Sequence, residues 1–268
     1  MTDARNLLAH DGRVTASTTA SVARMYDYYL GGKDNYAIDR QCAQRVISAV
    51  PLAREIARAN RAFLGRAVRF LAGEAGIGQF IDIGAGLPTQ DNVHQVAQRA
   101  NPASRVVYID NDPVVLVHAR ALLARDAQTR AILRDMRRPG EILADRDLVH
   151  LLDLSRPVAV LLVAVLHFIP DEHGAYEAVR TLVDAMAPGS FLVVSHVERC
   201  PELEAAARHY ERANAPAVLR SVGEITRFFD GLDLVLPGLV NLRRWRPNDQ
   251  ALSLDCDVPC YGGIGVKR

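Results

Sequence analysis

Two glycines that follow an acidic residue give the chain its clearest chemical signal. Asp82, Gly84 and Gly86 lie in the stretch DIGAGLPT, in which Thr89 replaces the third glycine of the G-x-G-x-x-G loop that binds dinucleotides. The first glycine permits a sharp turn and the second lets a ligand approach the backbone, whereas the third serves close helix packing beside a pyrophosphate. The loop therefore favours a ligand without a diphosphate.

Three acidic residues at the ends of predicted strands narrow the choice of ligand. Asp82 would repel a pyrophosphate but attract a cation, and Asp110 could accept hydrogen bonds from both hydroxyls of a ribose. Asp135 could accept a bond from an adenine amino group, with Met136 against the ring, or could be an ordinary turn aspartate. The pattern predicts S-adenosylmethionine, which carries positive charge and no phosphate.

The elements that must position these residues alternate between strands and helices. Apolar runs predict strands at 79–83, 105–109, 130–134, 157–165 and 190–196, followed by 232–242, broken at Pro237-Gly238, and 258–266. Amphipathic stretches predict helices at 89–100, 113–125, 139–153, 172–187, 201–213 and 221–230. This alternation predicts a parallel sheet covered on both faces, with the last two strands pairing antiparallel at one edge. Ligands bind such sheets beyond the carboxyl ends of the strands, where the glycine loop lies.

Predicted helices also precede the sheet, from Ser21 to the Gly31-Gly32 stop and at 39–49 and 52–72. The chain is therefore divided into a helical extension or lid, residues 1–75, and a ligand-binding domain, residues 76–268. The segment RMYDYYLGGKDNY could close over a bound ligand. Lys33 or Arg24 within it could reach the carboxylate of a methionine group.

Composition excludes several classes of function. The net charge is +1, from 32 basic and 31 acidic residues, so a nucleic-acid partner is not expected. No long apolar run predicts a signal peptide or a membrane span, and we expect a cytoplasmic protein, monomeric or homodimeric. Cys256 and Cys260 lack a second pair at zinc spacing, which favours reduced thiols and no metal.

Several long motifs resemble the actinobacterial S-adenosyl-methyltransferase family that was once catalogued as a domain of unknown function. They are FIDIGAGLPTQDNVHQVAQ, VVYIDNDPVVLVHARALL, VAVLLVAVLHFIPD, GSFLVVSH, the terminal YGGIGVK and the N-terminal SVARMYDYYLGGKDNY. The resemblance extends from about Ser21 to Lys267. It implies a Rossmann-like class I methyltransferase fold, an α/β architecture with a seven-stranded, mostly parallel sheet, an antiparallel last strand and preceding helices.

The resemblance and the strand-end pattern together define an expected site. The expected cofactor-binding residues are Asp82, Gly84, Ala85, Gly86, Asp110, Asn111, Asp135, Met136, Ala164, His167 and Lys33. The resemblance does not identify the methyl acceptor. We expect a small aromatic or secondary-metabolite-like molecule that is methylated on oxygen, nitrogen or carbon. One alternative is a protein that binds S-adenosylmethionine or S-adenosylhomocysteine without catalysis. Another, which the glycine loop disfavours, is an NAD-dependent oxidoreductase.

Catalytic residues are harder to predict, because the cofactor carries the reactive methyl group. His167 follows the fourth strand and is the candidate general base, or it packs beside the cofactor. Ser195, His196 and Glu198 should border the same cavity, or serve as hydrogen-bonded strand-end residues. Three more residues, Asn241, Arg244 and Trp245, could line an acceptor pocket, although a lone tryptophan is most often a packing residue.

Overall fold

A single mixed sheet organises the part of the chain that the computed structural model describes, namely residues 19–88, 91–123, 127–247 and 257–268. Its strands are β1 (Gln79–Ile83), β2 (Arg105–Asp110), β3 (Thr129–Leu133), β4 (Ala159–Val163), β5 (Phe191–Val197), β6 (Asp233–Leu234), β7 (Val240–Asn241) and β8 (Cys260–Val266). The order across the sheet is β3-β2-β1-β4-β5-β8-β6, with β7 also paired to β8. Strands β1 to β5 are parallel, and β8 is antiparallel to β5, β6 and β7.

This architecture confirms the predicted fold class. Strands β1 and β4 are buried along their whole length, as expected for parallel strands covered on both faces. The predicted strand at 232–242 consists of two short strands, because Pro237 has no N–H to donate and interrupts the pairing. The predicted antiparallel pairing is confirmed, with β8 between β5 and the broken edge strand.

Helices cover both faces of the sheet and extend beyond one end of it. Those assigned are α1 (Val22–Tyr29), α2 (Ala37–Ala49), α3 (Ala53–Arg69), α4 (Val93–Ala100), α5 (Pro113–Leu123), α6 (Pro139–Leu143), α7 (Arg146–Leu151), α8 (Ala175–Ala185), α9 (Pro201–Tyr210) and α10 (Val222–Thr226). The single helix predicted at 139–153 is wrong: Asp145 ends one helix and caps the next by accepting a bond from the Asp147 N–H. The helix predicted from 89 begins at Val93, and Thr89 lies outside the described residues.

The N-terminal helices contribute to two different cores. Phe63, Leu64 and Leu71 share one apolar cluster with the sheet residues Phe80 and Leu161. Helices α1 and α2 instead pack with α9 in a separate cluster. Since α3 packs directly against the sheet, the helical segment and the sheet share a core, and the division at residue 75 stays a prediction.

Buried polar contacts fix α1 to the end of β2. The Ser21 hydroxyl donates to Asp112 at 2.8 Å, and Arg24 pairs with the same carboxylate at 3.7 Å. Asp112 also caps α5, because it accepts a bond from the Val114 N–H at 2.9 Å. These contacts hold the first helix over the carboxyl ends of the strands.

Candidate functional site

A polar cavity opens beyond the carboxyl ends of β1 to β4. Together with its opening, it holds about 1190 Å³ of space that no protein atom occupies. Nine of the residues predicted for the site line it: Asp82, Gly84, Ala85, Gly86, Asp110, Asn111, Asp135, Met136 and Ala164. Lys33 is exposed after α1 and is not among the lining residues, and His167 lines a neighbouring cavity instead. The parallel sheet therefore brings together residues that are far apart in sequence.

The glycine loop needs its two glycines for different reasons. Gly84 has a φ of 71°, and a Cβ there would lie 2.4 Å from Val165 Cγ2. Gly86 has a φ of 66°, and a Cβ there would have no neighbouring atom within 4 Å. Gly84 is thus required for packing against the neighbouring loop, whereas Gly86 leaves open space in the cavity wall for a ligand.

Asp110 holds the glycine loop and can still accept further hydrogen bonds. Its Oδ2 accepts a bond from the Gly86 N–H at 2.9 Å, and its Oδ1 accepts one from the Asp112 N–H at 2.9 Å. A carboxylate has about four acceptor sites, so Asp110 can also accept a hydrogen bond from a ligand hydroxyl. Burial raises the pKa of Asp110, against the opposing effect of the backbone N–H groups.

Asp82 is buried close to a cation that the sequence analysis missed. Burial raises its pKa to about 7, a rise that Arg61 opposes and Asp110 reinforces. Arg61 comes from α3 and lines the same cavity. No local motif marks Arg61 in the sequence, because it is one of several arginines in an amphipathic helix. Side by side, the two residues can bind a group that carries both charges, such as an amino acid.

Asp135 faces an arginine close in sequence. Its carboxylate accepts bonds from Arg137 Nε at 3.0 Å and from the Arg137 backbone N–H at 2.9 Å. Burial alone would raise the pKa of Asp135, but the bonds from Arg137 outweigh it and the pKa is below its ordinary value. Met136 is 5% exposed and supplies an apolar wall beside this pair.

A second cavity, which we name the apolar cavity, lies between α1, α2, α3, α9 and the end of β4. Together with its opening, this cavity holds about 750 Å³ of space that no protein atom occupies. Five residues line both cavities: Val22, Tyr26, Asn60, Ala164 and Phe168. A molecule in the apolar cavity would therefore adjoin one in the polar cavity.

A chain of hydrogen bonds crosses this junction. The Ser195 hydroxyl accepts a bond from the Ala164 N–H at 2.9 Å and donates to Asn60 Oδ1 at 2.5 Å. Asn60 Nδ2 donates to the Tyr26 hydroxyl at 2.9 Å, which donates to the Ala57 carbonyl at 3.0 Å. Ala164 has a left-handed φ of 57°, and such strain in a residue with a side chain is typical of functional sites.

His167 lines the apolar cavity and is 8% exposed. In the described part of the chain, Nδ1 is shielded from solvent and has no hydrogen-bond partner. Burial, with the nearby His196 and Arg220, lowers the pKa of His167 well below its ordinary value. The ring is therefore a neutral imidazole that a ligand could engage.

Arg220 fixes the turn that carries His167. It is 1% exposed and donates to the carbonyls of Leu166 at 2.9 Å and Ile169 at 2.8 Å, on either side of the histidine. It also donates to His196 Nε2 at 2.8 Å, and burial lowers the pKa of His196 to about 3. His196 is thus a neutral partner of Arg220, which supports the structural interpretation of this strand-end residue.

The far-edge residues that could have lined an acceptor pocket lie elsewhere. Trp245 is fully buried and packs edge-on against Phe63 and Phe70. Asn241 donates to the Val258 carbonyl at 2.5 Å. Arg244, on the surface, pairs with Asp257. None of these predicted residues lines either cavity, so the packing interpretation of the tryptophan holds.

Two other sequence expectations concern arginine and cysteine. Arg24 is buried in its ion pair with Asp39 and does not line the polar cavity. Cys260 is a buried free thiol, whereas Cys256 lies outside the described residues. In the described ranges, no group of three or more His, Cys, Asp or Glu residues could hold a metal ion. No helix in those ranges is long and apolar enough to cross a bilayer.

Comparison with known proteins gives consistent matches. A family model described as S-adenosyl methyltransferase matches residues 9–268. A DUF574-family protein from Streptomyces avermitilis is 40% identical, with a TM-score of 0.89 over 93% of this chain and 98% of that one. A putative methyltransferase from Thermobifida fusca is 42% identical, with a TM-score of 0.87 over 93% of this chain and 96% of that one.

More distant structures share the fold alone. An O-methyltransferase family protein from Burkholderia thailandensis is 14% identical, with a TM-score of 0.54 over 90% of this chain and 63% of that one. No curated protein matches the chain in sequence.

Proposed function

Because the chain belongs to the S-adenosyl methyltransferase family and is an S-adenosylmethionine-dependent methyltransferase, we propose that the polar cavity is its cofactor site. The observation that carries this assignment is the meeting of Asp82, Gly86 and Asp110 at one edge of the sheet. Bound there, S-adenosylmethionine supplies a methyl group on a sulfonium. The protein's part is to align an acceptor with that group and to exclude water.

Each side of the cavity fits one part of the cofactor. Asp110 can accept bonds from the ribose hydroxyls through its remaining lone pairs, while Asp135 and Met136 border the adenine. Asp82 suits the ammonium of the methionine group, and Arg61 suits its carboxylate. Gly84, Ala85, Gly86, Asn111 and Ala164 complete the proposed wall. The proposed contact with Lys33 stays a prediction, since its side chain is exposed away from this cavity.

His167 is the proposed general base. It adjoins the cavity junction through Phe168 and is neutral, so it is free to take a proton from an acceptor. Its lowered pKa makes it a weak base, which suits an acceptor whose proton becomes acidic only as the new bond forms. The residue's earlier assignment to cofactor binding is less well supported, because His167 lines the apolar cavity.

The family implies a small-molecule acceptor. We further propose that the protein acts without nucleic-acid or membrane partners, as a cytoplasmic monomer or homodimer. Its balanced charge, 32 basic against 31 acidic residues, supports the absence of a nucleic-acid partner.

Calorimetric titration tests the cofactor site. S-adenosylmethionine and S-adenosylhomocysteine should bind, and NAD should not, because the loop and Asp82 disfavour a diphosphate. Arg61→Met should weaken S-adenosylhomocysteine binding by about 10-fold or more through loss of the carboxylate partner. Arg58→Met is the matched control, since Arg58 is an exposed arginine of the same helix.

Two results would overturn the assignment. One is binding of NAD at micromolar concentration with no signal from either adenosyl compound. The other is density for soaked S-adenosylhomocysteine away from Gly84 and Asp110.

A further inference from the structure

The apolar cavity differs from the polar cavity in its lining. None of the described residues around it has an Asp, Glu, Lys or Arg side chain. Aromatic rings from three elements line it, including Tyr26 of α1, Phe168 beyond β4 and Tyr210 of α9.

The lack of charge restricts what this cavity can bind. Moving an ionised group from water into an apolar site is costly unless an opposite charge or several hydrogen bonds compensate. The lining offers hydroxyls, an amide and an imidazole but no countercharge. Carboxylates, phosphates and ammonium groups are therefore disfavoured, whereas a neutral ring system gains by burial against Tyr26 and Phe168.

His167 provides the polar feature that orients such a molecule. Buried polar groups almost always have hydrogen-bond partners, yet Nδ1 of His167 has none within the described chain. His167 lines this cavity, so a hydroxyl on a bound molecule can donate a hydrogen bond to its neutral ring. The hydroxyl would then lie near the junction, where Asn60 and Ala164 border both cavities.

We propose that the apolar cavity is the methyl-acceptor site and takes an uncharged aromatic molecule that bears a hydroxyl group, with His167 as its hydrogen-bond partner. This proposal rests on the proposed cofactor site. The acceptor oxygen forms a bond to the methyl carbon as the carbon–sulfur bond breaks, and that electron pair stays on sulfur in S-adenosylhomocysteine. The hydroxyl proton passes to His167, so charge and atoms balance.

Three probes of equal ring size test the charge requirement without turnover: 2-naphthol, 2-naphthoate and 2-naphthylmethylammonium. Each is titrated into the protein saturated with S-adenosylhomocysteine. We expect 2-naphthol to bind at least 10-fold more tightly than either charged probe. Equal binding of a charged probe, or no binding of 2-naphthol, would overturn the proposal.

A pair of variants tests the location. Ala207 lines the apolar cavity from α9 and is half-buried, so Ala207→Phe should fill the cavity and weaken 2-naphthol at least 10-fold. Ala205→Phe is the control, because Ala205 is equally half-buried on the same helix and lines neither cavity. Unchanged 2-naphthol binding in Ala207→Phe would overturn the location.

The affinity for S-adenosylhomocysteine distinguishes the proposed cofactor site from the proposed acceptor site. This affinity should be unchanged in Ala207→Phe and in Ala205→Phe. If wild-type protein fails to bind S-adenosylhomocysteine, the cofactor site is wrong and this inference falls with it. If that binding is intact and the naphthol results fail, the acceptor site alone is wrong.

Discussion

The polar and apolar cavities share five lining residues but are built in different ways. The polar cavity is formed mainly by strand ends and carries Asp82, Asp110, Asp135 and Arg61. The apolar cavity is formed mainly by helices, and its described lining has no ionised side chain. The sheet thus supplies a charged cavity, the proposed cofactor site, and the helices supply a neutral cavity beside it.

The difference also separates two kinds of chemistry. Charged groups at strand ends bind a zwitterion and fix its orientation, whereas a neutral, water-excluding site leaves a hydroxyl acceptor without strong competing partners. A change in one cavity should therefore alter one binding event and leave the other nearly intact. The following predictions test that separation.

The largest effect is expected for His167→Ala. If His167 accepts the acceptor's proton, turnover of 2-naphthol should fall by about 10²- to 10⁴-fold, while S-adenosylhomocysteine affinity stays within about 2-fold. Release of S-adenosylhomocysteine measures turnover. His150→Ala, at an exposed histidine, is the control. A parallel loss of turnover and cofactor affinity would instead support a packing role.

Asp110→Ala should affect the polar cavity alone. The variant loses the bonds from the Gly86 and Asp112 N–H groups as well as those offered to a ribose, so S-adenosylhomocysteine affinity should fall by about 5- to 150-fold, or about 1–3 kcal/mol. Binding of 2-naphthol to the cofactor-free protein should not change. Calorimetry measures both, with the exposed Asp184→Ala as control. An unchanged cofactor affinity would show that Asp110 is not a ligand.

The smallest expected effect is a pH dependence of S-adenosylhomocysteine binding in the polar cavity. Burial raises the pKa of Asp82 to about 7. As the pH falls below 7, Asp82 takes up a proton and loses the charge that attracts the ligand's ammonium. S-adenosylhomocysteine affinity should therefore fall by about 10-fold between pH 7.5 and pH 6.0.

Two further measurements test whether Asp82 is the group that causes this pH dependence. Asp82→Asn should bind weakly at both pH values, without the dependence. Binding of 2-naphthol should be constant over the same range, because burial lowers the pKa of His167 well below its ordinary value and keeps the ring neutral. A pH-independent cofactor affinity in the wild-type protein would contradict the assigned role of Asp82.

Much of the polar cavity could be predicted from local sequence. Asp82 and Asp110 end apolar runs, and the ends of parallel strands meet at one edge of a sheet. The two glycines mark the sharp turn by their type alone. Arg61 escaped prediction because it lies on a helix whose contact with this edge depends on the packing of α3.

The apolar cavity could not be predicted in this way. Its lining runs from Val22 to Cys260 through helices that each show only ordinary amphipathic periodicity. Periodicity indicates which face of a helix is buried but not whether that face meets another side chain or an empty space. For the same reason the sequence offered Lys33 and Trp245, of which one is exposed and the other is packed in the core.

The sequence by itself determined the alternation of strands and helices, the glycine turn and the acidic strand ends, because these depend on neighbours within a few residues. Tertiary structure alone decided that Arg61 lies near Asp82, that Arg220 holds the turn carrying His167, and that a cavity without charge in its described lining adjoins the polar one. Those features depend on how distant helices pack, and packing is set by the fit of whole surfaces rather than by any local pattern.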